Sequence, residues 1–454
     1  MAQKSLATDL TTGPMLKKIV LFSLPLAASS ILQLLFNAAD VIVVGRFAGS
    51  TALAAVGSNG ALINLLVNLF VGLSLGANVV AARCFGAKDE GGVQDTVRTS
   101  VTLGLGSGIV LAAAGFLASR GLLELMSCPE DVIELSALYL KIYFLGMPAA
   151  MLYNFCAALL RAVGDTRRPL ICLAVSGLVN VGLNLVFVIG FHMSVAGVAL
   201  ATIISQAVSA AMVVSLLVKE QGALHLDLHH LGLHQGTLRQ ILRIGLPAGL
   251  QSTVFSLSNV VIQSSINSFG SVIVAGNSAA SNLEGFIYTG MNAFAQAAVT
   301  FTSQNIGARR YDNLDRVMRN CLLCAVGVGA VLGGGAYLCG ESLLHFYSSD
   351  PAVIAAGLAR MEIICTFYFV CGCMDTLASG LRGRGYSVLP MVVSLVGSCL
   401  LRVVWVATIF QTFHTTTVLY LSYPASWALT AAAHLVCLLV VRRKTQQQLE
   451  AGAL

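Results

Sequence analysis

Long apolar stretches follow one another along the chain, and short segments of charged or turn-forming residues separate them. A helix that crosses a lipid bilayer needs about 20 mostly apolar residues. About twelve stretches satisfy this requirement, and several exceed it, so we expect tilted spans or helices that extend beyond the lipid. Their approximate limits are 18–44, 52–81, 95–118, 133–158, 168–190, 195–218, 238–266, 272–304, 317–339, 352–379, 388–411 and 417–441. The pattern predicts an all-α polytopic membrane protein.

The composition agrees with a chain that lies in a bilayer. Of the 454 residues, 57% are hydrophobic and only 10% are charged, whereas soluble globular proteins average about 25% charged residues. The 44 glycines are expected where membrane helices pack closely. The net charge of +6 is spread over the loops, so we expect the lipid bilayer as a partner and no nucleic acid.

Lysine and arginine residues are distributed unequally over two alternating sets of loops. One set, which includes both termini, contains Lys17, Lys18, Arg83, Lys88, Arg98, Arg161, Arg167, Arg168, Lys219, Arg239, Arg243, Arg309, Arg310, Arg316, Arg319, Arg382, Arg384, Arg442, Arg443 and Lys444. The other set contains only Arg46 and Arg120. Because cytoplasmic loops carry the excess of positive residues, we expect a cell (inner) membrane protein with both termini in the cytoplasm.

The second half of the chain repeats features of the first half in the same order. The segments SLPLAASSILQLLFNAADV, CFGAKDEGGVQDTVR and LLRAVGDTRRPL resemble GLPAGLQSTVFSLSNVV, NIGARRYDNLDRVMR and GLRGRGYSVLPM. The matches pair Pro25 with Pro247, Gly86 with Gly307, Arg161 with Arg382, Gly164 with Gly385 and Pro169 with Pro390. All of these pairs share the same spacing along the chain except the first, which differs from it by one position.

The repeat predicts an architecture of two lobes. Each half holds six spans, and because six is even, both halves begin on the cytoplasmic side. They are therefore parallel repeats, related by an axis along the membrane normal. We predict an N-terminal lobe at 1–219, a cytoplasmic linker at 220–236 and a C-terminal lobe at 237–454, in a chain that functions as a monomer.

One acidic residue follows the most apolar part of the sequence. No charged residue lies from Ile19 to Ala39, and Asp40 comes next. At about 1.5 Å per helical residue, Asp40 lies about 33 Å from Lys18, in the outer half of the membrane. An ionisable group in a span costs about 2.5–3.5 kcal/mol on insertion scales and usually faces a cavity. Asp40 is therefore a candidate functional residue; the alternative is an interfacial acid near Arg46 that caps the helix.

Three oxygen-bearing side chains are predicted at a depth similar to that of Asp40. Asn180 and Asn184 are four residues apart and so share one helix face, and Thr202 lies in the next span. Carboxylate, amide and hydroxyl oxygens are suitable ligands for a hard cation such as Na⁺, and the carboxylate can instead bind a proton. We expect no other metal and no cofactor. The alternative role of these amides and this hydroxyl is bonding between helices.

These motifs together resemble the MATE family, the multidrug and toxic compound extrusion transporters. The matching pieces are SLPL, ADVIVVGRFAGSTALAAVG, LRAVGDTRRP, GVALATIISQ, RIGLPAGLQS and FTSQNIGARR, over nearly the whole chain. The resemblance implies two six-helix lobes and export of substrates in exchange for Na⁺ or H⁺. It implies that Asp40 matches the first-helix cation site of many members, and that Asn180 and Thr202 match their Asn and Thr. Many members have an Asp where this chain has Asn184, which leaves both coupling ions open.

The second half has its own charged residues within apolar stretches. Glu284 lies in a long apolar span and is the best candidate for a second-lobe site, a choice that rests on burial alone. Glu362 and Arg402 lie in or near the tenth and eleventh spans and are candidates for a neutralising pair.

These features favour a secondary antiporter that exports organic, often cationic, small molecules or drugs by alternating access, and not an enzyme. The alternative within transport is a flippase for lipid-linked precursors, but few basic residues lie in the spans to form the cationic cavity it needs. An intramembrane enzyme such as a prenyl transferase would need clustered acids for Mg²⁺, and the sequence has none. A Walker motif is also absent, which argues against an ATP-driven pump.

Overall fold

The computed structural model describes residues 8–125 and 130–451, and every regular element within these ranges is helical. The α-helices are α1 Met15–Phe47, α2 Ser50–Gly86, α3 Glu90–Leu125, α4 Glu130–Leu145, α5 Met147–Ala162, α6 Arg167–Asn184, α7 Ser194–Lys219, α8 Gln235–Asn267, α9 Ser271–Gly307, α10 Leu314–Leu338, α11 Gly340–His345, α12 Pro351–Gly383, α13 Val388–Ser394, α14 Leu401–Ala407, α15 Ile409–Thr412 and α16 Thr416–Glu450. The π-helical turns Leu185–Gly190 and Leu395–Leu400 directly follow α6 and α13. Single 3-10 turns lie at Leu228–His230 and Tyr311–Asn313.

The lengths of these helices agree with the predicted polytopic fold. In the described part of the chain, nine helical segments are long and apolar enough to cross a membrane, and the bent pair of α4 and α5 makes up to ten. The helices α8 and α9 are as long, at 33 and 37 residues, but contain more Ser, Asn and Gln. With these two, the described residues contain the twelve long segments expected, and the all-α polytopic prediction is confirmed.

The fourth predicted span, 133–158, consists of two helices that meet at Gly146. The axes of α4 and α5 differ by 47° at this junction. Pro148 lies in the first turn of α5, where its missing N–H costs no helical hydrogen bond, whereas within a continuous α4 it would break the ladder. Gly146 also lies against Ile203 and Gln206 of α7, which leave no room for a Cβ.

The described chain divides into two compact units, and α1 and α8 contribute to both. Unit 1 is formed chiefly by Ala28–Gly249, and unit 2 by Leu10–Ala27 together with the described part of Leu250–Leu454. The predicted linker at 220–236 lies within unit 1. The predicted lobes, 1–219 and 237–454, describe the sequence repeat and stay a prediction.

Glycines allow two helices of unit 1 to touch through their backbones. A Cβ on Gly72 of α2 would overlap the backbone of Gly249 in α8, and a Cβ on Gly76 would overlap the carbonyl oxygen of Ile241. Small residues are the usual means of close helix contact in membranes. The first part of α8 is therefore packed against α2 within unit 1.

Unit 2 has an apolar core formed mainly by α9, α12 and α16. Met361 of α12 and Tyr420 of α16 are almost completely buried in it. The rings of Tyr368 and Trp427 lie 5.4 Å apart and join α12 to α16. Glu284 of α9 and Arg360 of α12 are buried among these helices, so their surroundings are apolar and aromatic.

Candidate functional site

Three helices of unit 1 position the predicted ion-coupling residues. Asp40 lies in the last third of α1, and Thr202 lies in the first half of α7. Asn180 and Asn184 lie on α6, and Asn184 is its last residue before the π-helical turn Leu185–Gly190. Such turns are rare and occur frequently at functional sites.

The side chains of Asp40, Asn184 and Asn180 form one hydrogen-bonded series. Asn184 Nδ2 donates to Asp40 Oδ1, and it also donates to Asn180 Oδ1 at 3.2 Å. Asn180 and Asn184 are 5% and 0% exposed, whereas Asp40 is half-buried. The structure therefore brings together three of the four residues that the sequence proposed for unit 1.

The Asp40 carboxylate has no basic partner in the described chain. Arg46, which was the alternative partner, is exposed and forms no ion pair with it. A carboxylate among membrane helices is costly unless it is paired, protonated or bound to a cation. The position therefore suits a group that takes up and releases one positive charge.

Thr202 lies at the same site but is not bonded to the carboxylate. Its hydroxyl donates to the carbonyl oxygen of Val198 in its own helix, at 2.9 Å. The hydroxyl oxygen keeps its capacity to accept a hydrogen bond or to ligate a cation.

A cavity of about 130 Å³ lies in unit 1, and both Asp40 and Thr202 line it. Most of the other polar groups that line it are amides and hydroxyls, and no Lys, Arg or His is among them. They include Gln33, Asn37, Asn154, Ser176, Ser205 and Gln206. The volume is sufficient for several water molecules or a hydrated ion.

One buried oxygen of the site has no hydrogen-bond partner among the described residues. It is Asn184 Oδ1, which is left over because the amide N–H groups face Asp40 and Asn180. An unpaired buried acceptor costs about 1–3 kcal/mol. A small cation, or a water bound to one, would remove this cost, so the oxygens of Asp40, Asn180, Asn184 and Thr202 fit a cation site.

Sequence reasoning missed two tyrosines of α4 that belong to these surroundings. Tyr139 and Tyr143 are one helical turn apart, with ring centroids 6.0 Å apart. Both belong to an apolar cluster that also contains Val44 of α1 and Val198 of α7. The available signal was their i, i+4 spacing within an otherwise apolar span.

In unit 2, Glu284 is buried and forms a bidentate ion pair. Arg360 Nε and Nη2 donate to its two carboxylate oxygens at 2.8 and 2.7 Å, and Arg360 Nη1 donates to Asn277 Oδ1 at 2.7 Å. The side chains of Arg360 and Glu284 are only 6% and 7% exposed. Glu284 is therefore neutralised within the protein, and its role as an ion site stays a prediction.

The predicted pair of Glu362 and Arg402 is wrong. Glu362 is exposed, whereas Arg402 is 2% exposed and donates from Nε to Ser426 Oγ at 2.9 Å. The arginine that pairs with a buried acid is Arg360, two residues before Glu362. Sequence reasoning missed it because the spacing of residues within α12 does not show which helix each of them faces.

The repeat seen in the sequence is also found by comparison with known proteins. The family model MatE matches residues 25–186 and, a second time, residues 247–408, which together are more than half of the chain. The chain belongs to the MATE family. The two matches are equally long and follow each other in the same order as the sequence motifs, so the predicted two-repeat organisation is confirmed.

Curated relatives span almost all of this MATE protein. It is 28% identical to the probable multidrug resistance protein YoeA of Bacillus subtilis (strain 168), over 87% of each chain. It is 29% identical to the probable multidrug resistance protein YpnP of the same organism, over 87% of this chain and 88% of that one. A crystal structure of MATE in the bent conformation superposes with a TM-score of 0.89, at 22% identity and over 100% of both chains.

Membership of the MATE family establishes several general properties of the protein. The MATE protein is a multi-pass membrane protein of a multidrug efflux family, and its relatives are transporters and not enzymes. MATE transporters handle small molecules and use ion coupling without a cofactor.

Proposed function

We propose that this MATE protein is a secondary antiporter that exports organic, often cationic, compounds in exchange for H⁺ or Na⁺, with Asp40 as the coupling acid. The observation that carries the proposal is the Asp40 carboxylate itself. It has an amide partner, no basic partner in the described chain and a polar cavity beside it. A charge that the protein leaves uncompensated in a membrane helix is available to an exchanging ion.

Coupling follows from the energy of this one charge. When a proton or Na⁺ neutralises Asp40, the side chain tolerates an apolar environment that the bare carboxylate does not. The ion therefore favours one conformational state over another, and its release reverses that preference, which is the requirement for alternating access. Asn180, Asn184 and Thr202 supply oxygens and hydrogen bonds that hold the ion or orient the carboxylate.

The identity of the coupling ion depends on the number of negative charges. Asn184 adjoins Asp40 but brings no second carboxylate, so the site has one negative charge with which to bind Na⁺. We expect proton coupling to exceed sodium coupling. A flippase for lipid-linked precursors would need a cationic cavity, and the cavity beside Asp40 has no basic lining residue among those described.

The direct test is transport by the purified protein in liposomes, with H⁺ and Na⁺ gradients imposed separately. We expect a proton gradient to drive transport of ethidium, an organic cation, more strongly than a sodium gradient. For Asn184→Asp we expect a several-fold gain in the sodium-driven rate, because two adjacent carboxylates need a bridging cation. Transport of ethidium by neither gradient would contradict antiport.

The control for this gain is Asn154→Asp. Asn154 lines the same cavity, but its amide donates to the carbonyl oxygen of Ala150 in its own helix, at 2.9 Å, and not to Asp40. The control adds a carboxylate to the cavity without placing it next to Asp40. A gain in sodium-driven transport in both variants would show that the general charge of the cavity, and not a paired site, determines the ion.

We further propose that both termini and the segment 220–236 are cytoplasmic, on the basis of the unequal distribution of Lys and Arg. A cysteine placed at Gly222 should not react with an impermeant thiol reagent added outside intact cells, in a background without accessible native cysteines. The matched position is Arg120, in the opposite set of loops, where a cysteine should react. Reaction at Gly222 and protection at Arg120 would reverse the topology.

A further inference from the structure

The repeat relates the acidic site of unit 1 to a different arrangement in unit 2. The two family matches begin at Pro25 and Pro247. Asp40 follows Pro25 by as many residues as Ile262 follows Pro247, so the repeat pairs Asp40 with Ile262. Ile262 is apolar and completely buried. The acid that defines the site in unit 1 therefore has no acidic counterpart at the matching position of unit 2.

The counterpart of Asn180 is a base. Pro169 and Pro390 are paired by the repeat. Asn180 follows Pro169 by the same number of residues as the residue just before Arg402 follows Pro390. The π-helical turn Leu395–Leu400 lies within this stretch of unit 2 and takes up one residue more than an α-helical turn, so the pairing moves on to Arg402. Asn180 and Arg402 also lie equally far from the ends of the two family matches, which supports the same pairing. Unit 2 has lost a negative charge and gained a positive one at the positions that form the cation site of unit 1.

Arg402 has no acidic partner in the described chain. Its side chain is 2% exposed, and its one hydrogen bond to the described residues runs from Nε to Ser426 Oγ. The guanidinium lies 4.4 Å from the ring centroid of Tyr423 and 5.9 Å from that of Trp427. Aromatic faces attract a cation, but they do not neutralise its charge.

The nearby charges leave one positive charge in excess. Arg360 and Arg402 both lie over the ring of Tyr423, with their guanidiniums 5.4 and 4.4 Å from its centroid, and the carboxylate of Glu284 is already occupied by Arg360 through both oxygens. Of the two acids of α12, Glu362 is exposed, and Asp375 accepts a hydrogen bond from Tyr288 at 3.1 Å and forms no ion pair with Arg402. The Glu284 carboxylate therefore neutralises Arg360, and Arg402 has no ion pair with an acid among the described residues.

We infer that Arg402 is the binding site for the carboxylate of an aromatic organic acid, within unit 2. The inference rests on the proposed function, since it takes the protein to bind organic compounds, and it adds a second class of substrate. A guanidinium fork matches a carboxylate in shape and charge, and the rings of Tyr423 and Trp427 provide aromatic surface for the body of the compound. The bound anion would supply the charge that Arg402 lacks.

In this proposal, access of the anion to Arg402 depends on the side chain of Tyr423. Its side chain is only half-buried, and its ring covers the guanidinium. Rotation of this ring would expose the Nη groups, which make no hydrogen bond to the described residues. Binding would thus replace a ring contact with a charge-assisted pair, which is the stronger of the two interactions.

Equilibrium dialysis of the purified protein in a non-ionic detergent tests this site without an ion gradient. The probes are naphthylacetate, naphthylethylammonium and naphthylethanol, which have one ring system and differ in charge. We expect naphthylacetate to bind about tenfold more tightly than naphthylethanol, as for a hydrogen-bonded charge pair. Equal binding of the three probes, or preference for the ammonium compound, would overturn the inference.

Two variants test the residue directly. Arg402→Met should reduce naphthylacetate binding to the level of naphthylethanol, while Arg46→Met, which removes an exposed positive charge from unit 1, should leave the difference unchanged. Unchanged naphthylacetate binding in Arg402→Met, or in Arg402→Lys where Arg402→Met does not fold, would refute the site, because neither side chain has the guanidinium fork.

These measurements separate the inference from the proposed function. Dialysis depends on neither coupling nor conformational cycling, so a failed transport assay leaves the Arg402 result intact. Conversely, loss of anion binding in Arg402→Met says nothing about Asp40 in unit 1.

Discussion

Asp40→Asn should abolish gradient-driven export by the protein in liposomes. The substitution removes the one charge of the site that can take up and release a proton or a cation, so imposed H⁺ and Na⁺ gradients lose their effect. We expect the rate of ethidium transport to fall to the background of liposomes without protein. The loss should be the same for both gradients, because one residue serves either ion.

The fold should survive this substitution. The new side chain has the shape of Asp40, and an amide oxygen at the same place can still accept the hydrogen bond from Asn184 Nδ2. Removal of an uncompensated charge from a membrane helix is also favourable in itself. The variant should therefore elute as monodisperse protein with a thermal midpoint at or above that of the wild type.

The matched control is Glu134→Gln, which removes an exposed acid that pairs with Arg120 at 3.1 Å. Surface pairs contribute about 0–1 kcal/mol, so neither stability nor transport should change noticeably. Wild-type rates in Asp40→Asn under every gradient would show that Asp40 is a structural acid. If transport then became sensitive to Glu284→Gln, the coupling site would lie in unit 2.

Much of the fold could be predicted because its determinants are periodic in the sequence. Apolar length predicts a span, and the pairing of Gly86 with Gly307 and of Arg161 with Arg382 predicts the repeat. The bend at Gly146 was not predicted, because hydropathy is continuous across it. Its signal was local backbone chemistry, namely a glycine followed two residues later by Pro148.

The sequence could predict the candidate site only from the depth of each residue in the membrane, which was counted along its helix. Depth along a helix placed Asp40, Asn184 and Thr202 at one level, and the contact between Asp40 and Asn184 agrees with this. Depth does not give the rotation of a helix, so it could not show that the Thr202 hydroxyl bonds within α7. For the same reason it could not show that Glu284 faces Arg360, a residue 76 positions away.

The second large effect that we expect is on stability, at Glu284. Glu284→Met should destabilise the protein by about 3–5 kcal/mol, because breaking a buried ion pair leaves an uncompensated charge. Here the cost should lie at the upper end, since Arg360 and Arg402 both lie over the Tyr423 ring, 5.4 and 4.4 Å from its centroid, and neither would then have a paired carboxylate. The measurement is the thermal midpoint of monodisperse protein in detergent, compared with that of the wild type.

Arg360→Met should be milder than Glu284→Met, although each variant breaks the same pair. Arg360→Met leaves a buried carboxylate, which can become neutral by taking up a proton, whereas Glu284→Met leaves a buried guanidinium, which stays charged. The double variant Glu284→Met and Arg360→Met should regain much of the lost stability, as is common when apolar side chains replace both members of a buried pair. Equal losses in the two single variants would mean that uptake of a proton does not relieve the stranded Glu284 carboxylate.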